Sequence, residues 1–348
     1  MTRKRRIAGT VILAILGTSL YGCMQKQEAP EDSGQKTVQV GVAVYNEKDA
    51  YIAHICDYLD QEIYEYEKQH PGIKIQREIA DAGGSQQEQN AQIDRFVSLG
   101  YDLLLVNIVD RTNATVIIDR AAEADIPVVF FNREPVREDI LRWDKVYYEG
   151  SDARQSALLQ ADIIADTFEN APEQIDRNGD GVIEFAMLEG EFNHQDTLIR
   201  SEWVLKGLKE RGIETRKVVN ATANWERGQA DVLVKQWLEE YGEEIELIIC
   251  NNDDMALGAC AALEEEGDSG IQVVGIDGVE EAQNLVKEGK LLGTVLCDTQ
   301  LHAKALLEFI EAFGINQTGA EGLKLEDERY YMIPLDTIER ENEWNETE

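Results

Sequence analysis

The segment Asp176-Arg177-Asn178-Gly179-Asp180-Gly181-Val182-Ile183-Glu184 places side-chain oxygens at positions one, three, five and nine, with Gly at six. This is the pattern of the first nine positions of a calcium loop. Hard oxygens wrap the cation, the glycine allows the sharp turn, and Val182 offers a main-chain carbonyl. Position twelve, where an EF-hand supplies its closing Glu, is Met187, so the loop is not an EF-hand. A second chemistry lies in the residues that follow short apolar runs. Val44 leads into Tyr45-Asn46-Glu47-Lys48-Asp49, Val106 into Asn107, and Phe131 into Asn132-Arg133-Glu134. Leu188 leads into a polar stretch ending His194-Gln195-Asp196, Cys250 into Asn251-Asn252-Asp253, and Ile276 into Asp277-Gly278. Carboxylates, amides and an Arg fork suit vicinal hydroxyls, and aromatic rings cover the apolar faces of a sugar. Asp196 and Arg200 are four residues apart and share a helix face, with His194 just ahead of them. Trp225 follows Asn224 at an expected helix start.

The elements that hold these residues alternate. Strands are predicted over residues 38–44, 73–79, 103–106, 128–131, 185–188, 247–249, 273–276 and 293–296. Helices are predicted over 50–70, 87–98, 116–124, 156–168, 198–211, 227–240 and 255–265. Short apolar strands separated by amphipathic helices indicate parallel sheets covered by helices on both faces. There are too many strands for one ordinary sheet, so the expected fold is α/β with two similar doubly wound, Rossmann-like lobes. In such sheets ligands bind beyond the carboxyl ends of the strands, where the polar residues above fall. No GxGxxG follows the first strand and no GxxxxGK[ST] occurs, which excludes the usual dinucleotide and NTP cradles.

The 348 residues carry 68 Asp and Glu against 33 Lys and Arg, a formal net charge of -35. So acidic a surface repels phosphate backbones, and a nucleic-acid partner is excluded. The first residues have their own logic. Arg3-Lys4-Arg5-Arg6 precedes an uncharged stretch over residues 7–20, the form of a signal peptide and too short to span a bilayer. Leu20-Tyr21-Gly22-Cys23 resembles a bacterial lipobox, so residues 1–22 are expected to be removed and Cys23 to carry the lipid. Residues 23–37 then form a flexible tether. Cys56, Cys250, Cys260 and Cys297 are too few and scattered for a disulfide framework and read as buried thiols. No Cys or His spacing suggests zinc, and no GxSxG, HExxH or Cys–His pairing suggests a hydrolase. Asp49, Asp196 and Asp277 recur beside Asn and Arg as a hydroxyl cage rather than as a glycosidase pair, so no enzyme is expected.

From Val38 to about Pro334 the chain resembles the galactose/glucose-binding proteins of ABC sugar uptake, a branch of the type I periplasmic-type sugar-binding proteins. The resemblance is carried by Val42-Ala43-Val44-Tyr45, Asn107-Ile108-Val109-Asp110, the stretch from Val128 to Pro135, the acidic loop, Leu188-Glu189-Gly190-Glu191, Asn251-Asn252-Asp253 and Gly293-Thr294-Val295-Leu296. It implies two lobes joined by a three-strand hinge and closing on one hexose. Residues 38–127 plus 299–332 would form the N-terminal lobe, and 128–298 plus 333–348 the C-terminal lobe, with the calcium loop at 176–184. By position, the sugar contacts would be Tyr45, Asp49, Asn107, His194, Asp196, Arg200, Asn252 and Asp277, with Tyr51 and Trp225 stacking on the ring. Cys297 stands where the family has Asn, which would weaken or reroute one hydroxyl contact. Structural Ca2+ would be held by Asp176, Asn178, Asp180, the Val182 carbonyl, Glu184 and the distant Glu246. The resemblance further implies a monomeric, lipid-anchored, extracytoplasmic protein that hands galactose or glucose to an ABC permease. The alternative partner is a chemoreceptor or sensor kinase reading the same loaded form.

Overall fold

The computed structural model describes residues 35–267 and 270–340. The leader, Cys23 and most of the tether lie outside the described residues, as does the acidic stretch after Arg340. The chain begins with β1 (Lys36–Val44), α1 (Ala50–Gln69), β2 (Ile73–Asp81), α2 (Gln86–Leu99), β3 (Leu103–Val106), α3 (Ala114–Glu123), β4 (Val128–Phe131), α4 (Arg137–Ile140) and β5 (Val146–Gly150). It continues through α5 (Ala153–Asn170), β6 (Val182–Glu189), α6 (Gln195–Glu210), β7 (Glu214–Thr222), α7 (Arg227–Tyr241), β8 (Leu247–Cys250), α8 (Asp253–Glu266), β9 (Gln272–Asp277), α9 (Glu280–Lys287) and β10 (Gly293–Leu296). It closes with α10 (Thr299–Phe309), β11 (Tyr330–Met332) and β12 (Asp336–Glu339).

Two six-stranded sheets result, ordered β11-β5-β4-β3-β1-β2 and β12-β10-β9-β8-β6-β7. All pairs are parallel except β10 with β12. In each sheet the order reverses beside its first strand, between β1 and β3 and between β6 and β8. These are the switch points where doubly wound sheets open a crevice. The central strands need no alternation because both of their faces are covered. Leu103–Val106, Val128–Phe131 and Leu247–Cys250 are buried throughout. Helix α1 buries Ile52, Ile55, Cys56, Leu59 and Ile63 at helical spacing against the first sheet. Cys56, Cys250, Cys260 and Cys297 are free and buried.

One boundary is corrected. Ending the first lobe at residue 127 would put β4 in the second lobe, but Val128, Val129 and Phe130 pair with Leu104, Leu105 and Val106. β5 adds to β4 in turn, so the first sheet runs to Gly150. The chain crosses between sheets at residues 150–152, 297–298 and 333–335.

Candidate functional site

A polar cavity opens between the carboxyl ends of the two sheets. Its wall is made by Asp49, Tyr51 and Asn132 from the first lobe and by His194, Asp196, Arg200, Trp225, Asn252 and Asp277 from the second. Three of these are helix N-caps. Asp49 Oδ1 accepts from the amides of Tyr51 (2.9 Å) and Ile52 (3.2 Å). His194 Nδ1 accepts from the amide of Asp196 at 3.1 Å, and Asn252 Oδ1 from that of Met255 at 3.0 Å. The chain thus starts α1, α6 and α8 with polar side chains whose remaining atoms lie at the cleft.

Arg200 is buried, with NH2 3.1 Å from Asp196 Oδ2 and NH1 donating to the Asn251 carbonyl at 2.8 Å. Its NH1 lies 3.8 Å from Asp277. Burial raises the pKa of Asp196, and Arg200 partly offsets that; for Asp277 burial is again the largest cause, and its pKa lies well above the carboxylate range. His194 is pushed the other way, well below the usual imidazole range, by burial first and then by Arg133, Arg200 and Arg111. It is therefore neutral, and because Nδ1 accepts, the proton sits on Nε2. Trp225 has a left-handed backbone (φ 66), as does Asn224 before it (φ 52). Such strain in large side chains concentrates at binding sites. The indole lies over Gly190, where an added Cβ would fall 2.1 Å from Cζ2, and meets His194 edge-on at 5.1 Å.

Three of the expected contact residues stand behind the wall. Asn107 is fully buried, its Oδ1 accepting from the Tyr45 amide (3.4 Å) and its Nδ2 donating to the Phe131 carbonyl (3.1 Å) and Asn132 Oδ1 (3.2 Å). The Tyr45 ring lies under the Arg133 guanidinium, 3.4 Å from its centroid, and its hydroxyl donates to Asp49 Oδ2 at 2.5 Å. Cys297 is buried at a crossing, and its carbonyl accepts from the Tyr51 hydroxyl at 3.2 Å. Asn132 was named in the sequence only as a strand end; its left-handed backbone (φ 60) presents it at the cleft.

At the cavity mouth the lobes touch directly. Arg133 pairs with Glu191 at 2.9 Å, and Gln195 accepts from Arg111 (2.7 Å) while donating to Glu134 (2.6 Å).

The acidic loop does fold as a loop. Gly179 and Gly181 take left-handed backbones (φ 74 and 83), and their amides donate to the two oxygens of Asp176 at 2.7 and 2.9 Å. Glu246 reaches in from just before β8, accepting from the amides of Arg177 (2.7 Å), Asn178 (3.1 Å) and Glu184 (3.2 Å). Glu184 and Glu246 are both buried. Glu184 accepts from Arg216 at 3.1 Å and from Asn178 at 2.9 Å. Among the described residues, no three or more Asp, Glu, His or Cys side chains are arranged as a ligand set.

Two doubly wound lobes with a polar cavity at their facing strand ends narrow the kinship, and residues 40–313 match the periplasmic binding protein domain. The chain belongs to that family. The D-galactose/methyl-galactoside binding periplasmic protein of Haemophilus influenzae is 34% identical over 306 residues, 87% of this chain and 90% of that one. A putative rhizopine-binding protein of Rhizobium meliloti is 32% identical, covering 78% and 82%. An ABC transporter solute binding protein from Bacillus halodurans, solved with bound myo-inositol, superimposes with a TM-score of 0.71 at 30% identity, covering 90% and 97%. As a periplasmic binding protein the chain holds a solute rather than transforming it.

Proposed function

We propose that this protein captures a hexose of the galactose/glucose class between its lobes and presents it to an ABC permease. The observation that carries the reading is the cavity wall itself. Acceptors (Asp49, Asp196, Asp277), a fixed Nε2–H donor (His194), an Arg fork and two amides surround a space that has Tyr51 and Trp225 on its border. That alternation suits a ring of hydroxyls with apolar faces. The relatives' ligands, a galactoside and a cyclic polyol among them, belong to the same chemical class. The leader and a lipid on Cys23 belong to the same reading and would hold the protein beside its permease. Calorimetry on the mature protein should give micromolar or tighter binding of D-galactose, D-glucose or methyl galactoside, with myo-inositol weaker. Flat titrations across all four would overturn the proposal.

Calcium in the 176–184 loop is part of this proposal. Two buried carboxylates, Glu184 and Glu246, lie beside the loop with Asp176 and Asp180 close by in the chain, and Arg216 is the guanidinium paired with Glu184. Burial is the largest cause of the raised Glu246 pKa. One guanidinium serves two buried carboxylates, and a hard cation would add the further positive charge that such a pair favours. Asp176, Asn178, Asp180, the Val182 carbonyl, Glu184 and Glu246 would hold it. Chelation should lower the melting temperature and added Ca2+ restore it; a melting curve indifferent to both removes calcium from the proposal.

A further inference from the structure

Behind the cavity wall, two polar side chains with no part in the hydroxyl cage are buried together. Glu149, the fourth residue of β5, and His302, in the first turn of α10, are 0% and 1% exposed, and Nδ1 lies 2.6 Å from Oε1. Glu149 lies just before the first crossing and His302 one helical turn after the second, so the contact joins elements that flank two of the three connections between lobes. The other imidazole nitrogen, Nε2, is 3.0 Å from the Tyr51 hydroxyl, and that hydroxyl is 3.2 Å from the Cys297 carbonyl. The Tyr51 ring also meets the imidazole edge-on at 5.9 Å. Tyr51 borders the cavity.

Nδ1 faces Glu149 Oε1, Nε2 faces the Tyr51 hydroxyl, and that hydroxyl donates to the Cys297 carbonyl. Stability alone does not explain the pair, because apolar residues of the same volume in such a place are commonly as stable or more so. What the pair adds is direction: it fixes the hydroxyl, and through it the plane of the ring.

We propose that Glu149 and His302 are positioning residues, a buried relay that sets the Tyr51 ring against the bound ligand and ties that ring to the crossings on which the lobes close. The inference rests on the hexose reading for its ligand. Tyr51 touches the ligand; Glu149 and His302 act through it.

The test is a mutant cycle with hexose affinity and melting temperature read on each protein. His302→Gln should weaken binding about tenfold in the wild-type background and by less than twofold in a Tyr51→Phe background, because the hydroxyl it steers is gone. Equal losses in both backgrounds would overturn the relay and leave a merely structural pair. Glu149→Gln, nearly isosteric, repeats the comparison should His302→Gln fail to fold. An arm without sugar separates this inference from the hexose reading. In protein carrying 13C at tyrosine Cζ, the Tyr51 resonance should move in His302→Gln and in Glu149→Gln. An unmoved resonance overturns the relay whatever the protein binds; a moved resonance with flat titrations overturns the hexose reading alone.

Discussion

His194 shows how one side chain can be committed to a single proton arrangement. Its Nδ1 caps α6, and burial with three guanidiniums nearby keeps a second proton off. An unfolded histidine takes that proton near pH 6.5. From about that pH downward the unfolded chain binds a proton that the folded chain refuses, so this residue contributes a loss of stability as pH falls and nothing above it. The expected observation is an imidazole in the Nε2–H form whose 15N shifts stay constant from pH 8 to about 5.5. A midpoint near 6.5 would sink the assignment. The sequence pointed to His194 through its place ahead of Asp196 and Arg200. The resemblance put Asn107 at the sugar and left Asn132 out, although both follow apolar strands. The difference is decided by contacts: Asn107 spends its amide on Tyr45, Phe131 and Asn132, which leaves Asn132 at the cavity.

At the scale of elements, the same residues begin helices and line the site, so the two duties should separate by substitution. Asp49→Ala removes the cap of α1 and should cost about 1 kcal/mol of stability as well as ligand affinity. Asp49→Asn keeps an acceptor for the Tyr51 and Ile52 amides but removes the charge. It should melt close to wild type while binding hexose about tenfold more weakly, or about 1.4 kcal/mol. Chemical denaturation and calorimetry on both variants check this, and equal destabilisation by Ala and Asn would show that the carboxylate charge, not the cap, holds the helix. Elements with continuous apolar runs were legible in the sequence to within a few residues. β5 was not, because Val146-Tyr147-Tyr148-Glu149-Gly150 is interrupted by a charge whose partner, His302, lies 153 positions away and gives no local signal. β7 escaped for the opposite reason: it is an edge strand of half-buried and exposed residues, with little apolar content to mark it.

At the scale of the whole molecule, closure depends on more than the ligand. Arg133 with Glu191, and Gln195 between Arg111 and Glu134, join the lobes at the mouth of the cavity without facing its centre. These contacts bridge the two lobes across the cleft. They should therefore act on ligand escape more than on ligand entry, because they join the two lobes rather than meet the arriving ligand. Glu191→Gln keeps the side chain's shape and leaves Arg133 on the Tyr45 ring, which makes it the cleaner probe; Gln195→Ala removes the bridge beside it. Each should speed hexose dissociation by about threefold to tenfold while changing the association rate by less than twofold. Stopped-flow fluorescence reporting on Trp225 measures both rates. The two contacts lie four residues apart near the start of α6 and lock the same motion, so their effects should add to less than their sum in the double variant. Association slowed as much as dissociation is accelerated would mean that these residues steer the ligand in, and that the ligand alone holds the lobes together.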